Sequence, residues 1–474
     1  MHKINYLLLL VLASLCYVHC AVSDQAGVTA SVSTPTKDAK ANYTEYCASC
    51  HGSDARAFAD RKNWVHGSDK ASLIGVIAKG LVDEGMPSFD ARFSAEETAA
   101  LADYIIEAKE QVEKFAFDNE FDQDETFNYN GHSYKLELVT DQVDIPWGMV
   151  QATNGDLFFG DKAGALSQRK RDGSIQTITG LPEIRTEGQG GLMDISLDPG
   201  FDDNRHIYLS YSKQNPENDS EATTAIFKGR LDGNKIVGGK DIWIGLPYLP
   251  TKYHYGSRII WDNDGYLYLS IGDRGKRDEN PQNLSVAPGK IHRINNDGSI
   301  PSDNPFLNVD NAIKSIYSYG HRNPQGLAYD KKSNIIYENE HGPRGGDEIN
   351  IIKPKKNYGW PEISYGINYN GTVFTEKTEE TGMEQPIHYW VPAIGVCGLA
   401  YVDSPLYPDW QGKLLSGSLK YKYLNLSKTQ ADGTTSETKL FPQIGRLRSV
   451  IQGADGYIYV GVENPGRIYK VLPQ

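Results

Sequence analysis

Cys47 and Cys50, followed at once by His51, are the sharpest chemical signal in the chain. Two thiols at this spacing can add across the two vinyl groups of one porphyrin, and the next residue brings an imidazole to the iron from one face. The run Cys47-Ala48-Ser49-Cys50-His51 therefore predicts one covalently attached c-type haem. A zinc ribbon would need a second cysteine pair. None is available, because Cys16 and Cys20 lie in the leader and Cys397 stands alone as a small residue expected in a core. The second axial ligand is expected at Gly85-Met86-Pro87, where turn residues on both sides present the Met86 sulfur. His66 is the competing ligand, and Met86 as plain core is the alternative. A thioether ligand raises the reduction potential, which suits electron transfer.

A second set of reactive residue types lies downstream, in loops between short apolar runs. It comprises Gly188-Gln189-Gly190-Gly191-Leu192, His254 in His254-Tyr255-Gly256-Ser257-Arg258, and Asp273 at the end of an apolar strand. Further along come Gly320-His321-Arg322-Asn323-Pro324-Gln325-Gly326-Leu327, Glu340-His341-Gly342-Pro343-Arg344-Gly345-Gly346-Asp347-Glu348, and Asn357-Tyr358-Gly359-Trp360-Pro361. Lys420, Arg446 and Arg448 follow. A histidine is a suitable base near neutral pH. Guanidinium forks match carboxylates, and Arg446 and Arg448 alternate along a strand so that both can face one way. Clustered cations on an acidic protein suit a flat polyanionic cofactor. His321 and His341 read as structural.

The elements that must hold these residues fall into two regions. The chain has 474 residues and a formal net charge of −13, which makes it a poor binder of phosphate backbones and argues against nucleic acid. Residues 1–20 read as a secretory signal peptide, with His2 and Lys3 before an apolar run too short to span a bilayer. No later stretch could span one, so the expected location is periplasmic or secreted. Residues 21–39 read as a flexible N-terminus, 40–115 as a small helical haem unit, 116–132 as a linker and 133–474 as strand after strand. In the haem unit, Ser94-Ala95-Glu96-Glu97 is a capping box, and Leu101, Tyr104, Ile105 and Ala108 sit at helical spacing.

In the long region a turn leads repeatedly into an alternating apolar strand. The instances begin at Asn154, Arg205, Asp264, Ser333, Trp410 and Asp455, spaced by roughly 45 to 80 residues. Six such units predict a mainly β fold, a six-bladed β-propeller. Tyr134 to Val139 is the strand expected to close the ring beside the C-terminal strands.

The haem unit resembles a class I cytochrome c. The ordered motifs of the long region resemble the soluble pyrroloquinoline quinone-dependent glucose and aldose sugar dehydrogenases, over nearly all of Tyr134 to Leu472. The resemblance implies a six-bladed propeller that oxidises a sugar, with pyrroloquinoline quinone, haem c and calcium as cofactors. It implies His254 as the general base, Asp273 as the carboxylate that holds it, and Arg322 beside the reacting quinone carbonyl. It implies Gln189 and Asn323 as quinone contacts and Lys420, Arg446 and Arg448 as clamps on the quinone carboxylates. The carbonyls of Gly342 and Pro343 are implied calcium ligands, and Glu348 with the Tyr358 carbonyl part of a second calcium site. There, Asn368 replaces an expected aspartate. A downstream cytochrome or oxidase is the expected electron acceptor. Two rival readings are a calcium-dependent lactone hydrolase and a carbohydrate-binding propeller tethered to a cytochrome.

Overall fold

The computed structural model describes residues 38–51, 55, 58, 64–110, 125–429, 435–463 and 465–474, the side chains of Ser49 and Cys50 excepted. The expected leader, the N-terminus as far as residue 37, most of the linker and the Cys50 thiol lie outside the described residues.

The haem unit is built from helices α1 (Ala39–Tyr46), α2 (Ala48–His51), α3 (Lys70–Lys79) and α4 (Ala95–Glu110). Each long helix starts where a side chain satisfies an otherwise unpaired N–H. Asp38 accepts from Ala41, and Asp69 accepts from Ser72. Before α4 the capping box forms as the sequence predicts: Ser94 and Glu97 each accept the other's backbone N–H, at 3.0 and 3.2 Å. Leu101, Ile105 and Ala108 of α4 pack with Tyr43, Leu73, Ile77 and Phe89 in one apolar core.

The rest is a six-bladed propeller. Its first five blades are four-stranded antiparallel sheets that begin at Pro146, Leu192, Ile259, Pro324 and Val396. The six repeated sequence units all prove to be the second strand of a blade and the turn before it. These strands lie between neighbouring blades, covered on both faces. Leu267–Ile271 and Ile458–Glu463 are accordingly buried at every residue, and they read as near-continuous apolar runs. Outer strands such as Thr435–Leu440 are half solvated and polar.

The sixth blade is a composite. Arg446–Gln452, Ile458–Glu463 and Arg467–Pro473 are completed by His132–Thr140, with Leu136 opposite Val471 and Leu138 opposite Tyr469. Tyr134 to Val139 thus supplies the closing strand. The sheet also extends into the stretch expected as linker, because Phe127–Tyr129 turns back at Asn130-Gly131 and pairs with His132–Tyr134. The apolar side of Phe127 and the Tyr129 ring pack on Phe441. Among the described residues, no helix is long and apolar enough to cross a membrane.

Candidate active site

Blade three supplies His254 and Asp273, the expected base and its carboxylate. Asp273 follows the strand Leu267–Ile271, and His254 lies in the loop that enters the blade. Gly272 lets the two segments meet. A Cβ there would collide with the His254 carbonyl and lie 2.8 Å from Asn323 Oδ1. His254 has φ 56°, a left-handed backbone uncommon outside glycine. Its N–H donates to Gln189 Oε1 at 2.8 Å, which holds that conformation.

His254 Nδ1 lies 2.7 Å from Asp273 Oδ1. The same oxygen accepts the Gly275 N–H at 2.7 Å, and Oδ2 accepts the Trp360 indole N–H at 2.9 Å. Burial pushes the Asp273 carboxyl up, but His254 and Arg322 outweigh it and hold the group below its ordinary range. Burial also lowers the His254 pKa, opposed by Asp273 and reinforced by Arg322. The result is a neutral imidazole whose Nδ1–H donates to a carboxylate, leaving the Nε2 lone pair to accept a proton. Arg322 Nη1 donates to the His341 carbonyl at 2.9 Å, and the guanidinium lies over the Trp360 ring. Its Nε is buried with no hydrogen-bond partner.

Beyond Arg322 the cleft is cationic. Arg446 and Arg448 share one carboxylate, Glu463, at 2.7 and 3.1 Å. Arg448 also covers the Trp147 ring and approaches Cys397 Sγ at 3.6 Å. Lys162 stands near enough that burial and Arg448 lower its pKa. Lys420 is 7% exposed. His341 is kept neutral by burial and by Arg322 and Arg448, and its Nε2 is buried without a partner. Cations in excess of acids, with orphaned donors among them, fit a planar polyanion. The side-chain oxygens of Gln189 and Asn323 hold the His254 and Gly256 N–H groups, so their NH2 groups are what they can offer a ligand.

An oxygen-rich cluster lies behind this cleft. Asp347 accepts the Gly342 and Val396 N–H groups at 3.0 Å and so pins the Gly342-Pro343 turn. In blade four, Glu338 is paired across the sheet with Asn350, and Glu340 with Glu348. Ligand atoms of His321, Glu338 and Glu340 lie within 4.8 Å of one another. Glu340 accepts the Arg322 and Asn323 N–H groups. Glu338 Oε1 and Asn350 Oδ1 are buried and unpartnered. Burial, then the neighbouring glutamates, push the Glu338 and Glu348 pKa values well up. Such a set fits a hard cation that takes oxygen ligands. Tyr358 stacks its ring on His321 at 4.6 Å. Asn368 is bonded to Arg277 and Thr372.

In the haem unit, Cys47, His51 and Met86 border one largely apolar cavity of about 170 Å³. Met86 ends a tight hairpin: Leu81 and Met86 exchange backbone hydrogen bonds at 2.8 and 3.1 Å around Val82–Glu84 and Gly85, whose φ is 90°. His66 reaches the same rim but pairs with Glu84 at 3.1 Å. The outer side of the hairpin borders a second cavity, of about 180 Å³, with Met86 and Pro87 on one wall and His254, Asp273 and Arg322 on the other.

Residues 143–470 match the family model described as glucose / sorbosone dehydrogenase. The chain belongs to that family. This sugar dehydrogenase carries an extra N-terminal cytochrome c domain, for residues 34–105 match the model of the cbb3-type cytochrome c oxidase subunit III. It is 39% identical to an aldose sugar dehydrogenase of Escherichia coli over 347 residues, 72% of this chain and 93% of that protein. It is 26% identical to quinoprotein glucose dehydrogenase B of Acinetobacter calcoaceticus, over 71% of this chain and 87% of that one. The crystal structure of the soluble Escherichia coli aldose sugar dehydrogenase, in its apo form, superposes with a TM-score of 0.68, covering 72% of this chain and all of that one.

The structure brings His254, Asp273, Arg322, Gln189 and Asn323 together, and it adds further neighbours. Glu463 balances the cleft while Lys162 adds to its positive charge, Trp360 and Gly275 saturate Asp273, and Glu338 enters the oxygen cluster. Only the Trp360 signal was present locally, inside Asn357-Tyr358-Gly359-Trp360-Pro361. Gly275 bonds Asp273 two residues away, whereas Glu463 and Glu338 sit in ordinary strand sequence and acquire partners more than ten residues away.

Proposed function

We propose that this dehydrogenase oxidises an aldose or related sugar alcohol with pyrroloquinoline quinone and sends the electrons to its own haem c. The single observation that carries the reading is the shared cavity, walled by the base on one side and by the expected iron ligand Met86 on the other. His254 Nε2 takes the proton of the reacting hydroxyl, and Asp273 steadies the imidazolium that forms. Arg322 supplies positive charge where negative charge develops. Trp360 holds both Asp273 and Arg322 in place. When bound, the quinone accepts the two electrons and the proton that leave the sugar carbon as hydride, and the haem relays electrons singly.

Cys47 and Cys50 would anchor the haem, with His51 and Met86 on the iron. Lys420, Arg446, Arg448, Gln189 and Asn323 would hold the quinone. The Gly342 and Pro343 carbonyls would hold one calcium, and Glu348, Glu338 and the Tyr358 carbonyl a second. The expected setting is the periplasm or the exterior, with another cytochrome or oxidase taking the electrons. The relative's name, a quinoprotein, supports the cofactor. Neither the hydrolase nor the binding-module reading has a supporting observation.

The test is anaerobic addition of aldoses to the holoprotein reconstituted with quinone and calcium, watching the haem absorption. Reduction by some aldose is expected. His254→Gln should abolish it, by a factor of roughly 10² to 10⁴, while quinone binding survives. No reduction across a wide sugar panel sinks the reading.

A further inference from the structure

The cytochrome domain closes over the sugar site. Its hairpin does not stand off from the propeller but is seated on the segment that carries the base. The Lys252 N–H donates to the Asp83 carbonyl at 3.1 Å. The Lys252 ammonium lies 3.7 Å from Glu84 and 3.1 Å from Glu187. Gly85 faces the Tyr253 ring so closely that a Cβ there would lie 3.2 Å from it, and that ring meets the His254 imidazole edge-on at 4.7 Å. At a second contact, Arg344 pairs with Glu45 of α1 and covers the Tyr46 ring. Tyr369 packs into the apolar core of the haem unit. The domain is thus held at two places.

We infer that the hairpin Val82–Pro87 is a specificity element of the sugar site, a roof that admits a single sugar ring and rejects a longer saccharide. This rests on the dehydrogenase reading above. A substrate whose hydroxyl reaches His254 Nε2 must lie under the hairpin, in a space of about 180 Å³. Anything attached to its far end must leave past the rim, where Val82 and Arg277 stand. Val82 is 62% exposed and makes no core contact that its removal would break. Arg277 is held by Asp278 at 2.7 Å, by Asn368 at 3.2 Å and by stacking on Phe374. A propeller without this domain would have no such wall over His254. The roof therefore does two things at once: it brings the haem ligand to the site, and it limits what can be oxidised there. Discrimination comes from steric exclusion of the second ring, which a rigid wall enforces more strongly than a flexible loop.

The test uses the full-length holoprotein with a soluble dye as acceptor, so that haem chemistry does not set the rate. kcat/KM is measured for glucose and for the disaccharide maltose. Wild type is expected to favour glucose. Val82→Ala and Arg277→Ala should each shift the maltose-to-glucose ratio upward by about fivefold or more, and Val82→Trp should shift it downward. An unchanged haem spectrum in each variant reports an intact domain. If the ratio is the same in wild type and all three variants while glucose turnover persists, the roof is refuted and the dehydrogenase reading stands. If no sugar is oxidised by wild type, both fall together.

Discussion

Asp273→Asn isolates the part of the site whose geometry is most constrained. Three donors converge on this carboxylate: His254 Nδ1–H and the Gly275 N–H on one oxygen, and the Trp360 indole on the other. An amide has one oxygen, so one side must face donor to donor. Keeping the oxygen toward His254 and Gly275 leaves the indole N–H against an NH2 group, a buried unsatisfied donor worth about 1–3 kcal/mol of stability. The base then keeps its tautomer but loses the charge that stabilises its protonated form. A hydrogen bond to a charged partner contributes about 1.5–3 kcal/mol, so kcat/KM should fall by roughly 10- to 150-fold. The pH profile adds a sign. Asp273 raises the His254 pKa; without it the pKa falls further, and the acid limb of kcat/KM moves to lower pH. Steady-state rates with a dye acceptor across the acid range measure both effects. Adding Trp360→Phe removes the conflicting donor and should restore part of the lost stability in thermal unfolding. A loss of kcat/KM below about threefold, or an acid limb that moves upward, would refute the role given to Asp273.

Met86→His should keep the haem attached but lower its reduction potential, read by spectroelectrochemical titration, and slow haem reduction by sugar. Glu463→Gln leaves Arg446 and Arg448 without their acid; breaking such a buried pairing costs about 3–5 kcal/mol. The loss in thermal stability should be larger without the quinone than with it, because the quinone carboxylates replace the missing charge. Glu338→Gln removes one buried acid from the oxygen cluster. It should stabilise the calcium-free protein, and it should shrink the gain in melting temperature that added calcium gives the wild type.

What the sequence carried clearly was local. A turn followed by an apolar alternation is visible at Asp264 or Asp455 because the second strand of each blade is buried on both faces. The capping box at Ser94 and the closing strand near Tyr134 were legible for the same reason. The partners of the cationic cleft were not. Glu463 lies 17 residues from Arg446 inside an apolar strand, and nothing in Val460-Gly461-Val462-Glu463 distinguishes it from a solvated strand end. Glu338 was equally silent, since alternation in Ile335-Ile336-Tyr337-Glu338 gives the face but not what lies against it. The seating of the haem hairpin on Lys252 and Tyr253 joins segments that belong to different domains, where no periodicity links the two.

The composite sixth blade also dictates an order of events during synthesis. The strand His132–Thr140 leaves the ribosome early, yet the partner it needs, Arg467–Pro473, is made only after the other five blades. The ring therefore stays open until that strand is made, and the cytochrome domain, complete long before, precedes it. Haem attachment can proceed on an exposed domain, before the propeller exists for its hairpin to sit upon. Loss of Arg467–Pro473 would leave His132–Thr140 without its partner and the seam unzipped, so the hairpin would have no closed ring to roof.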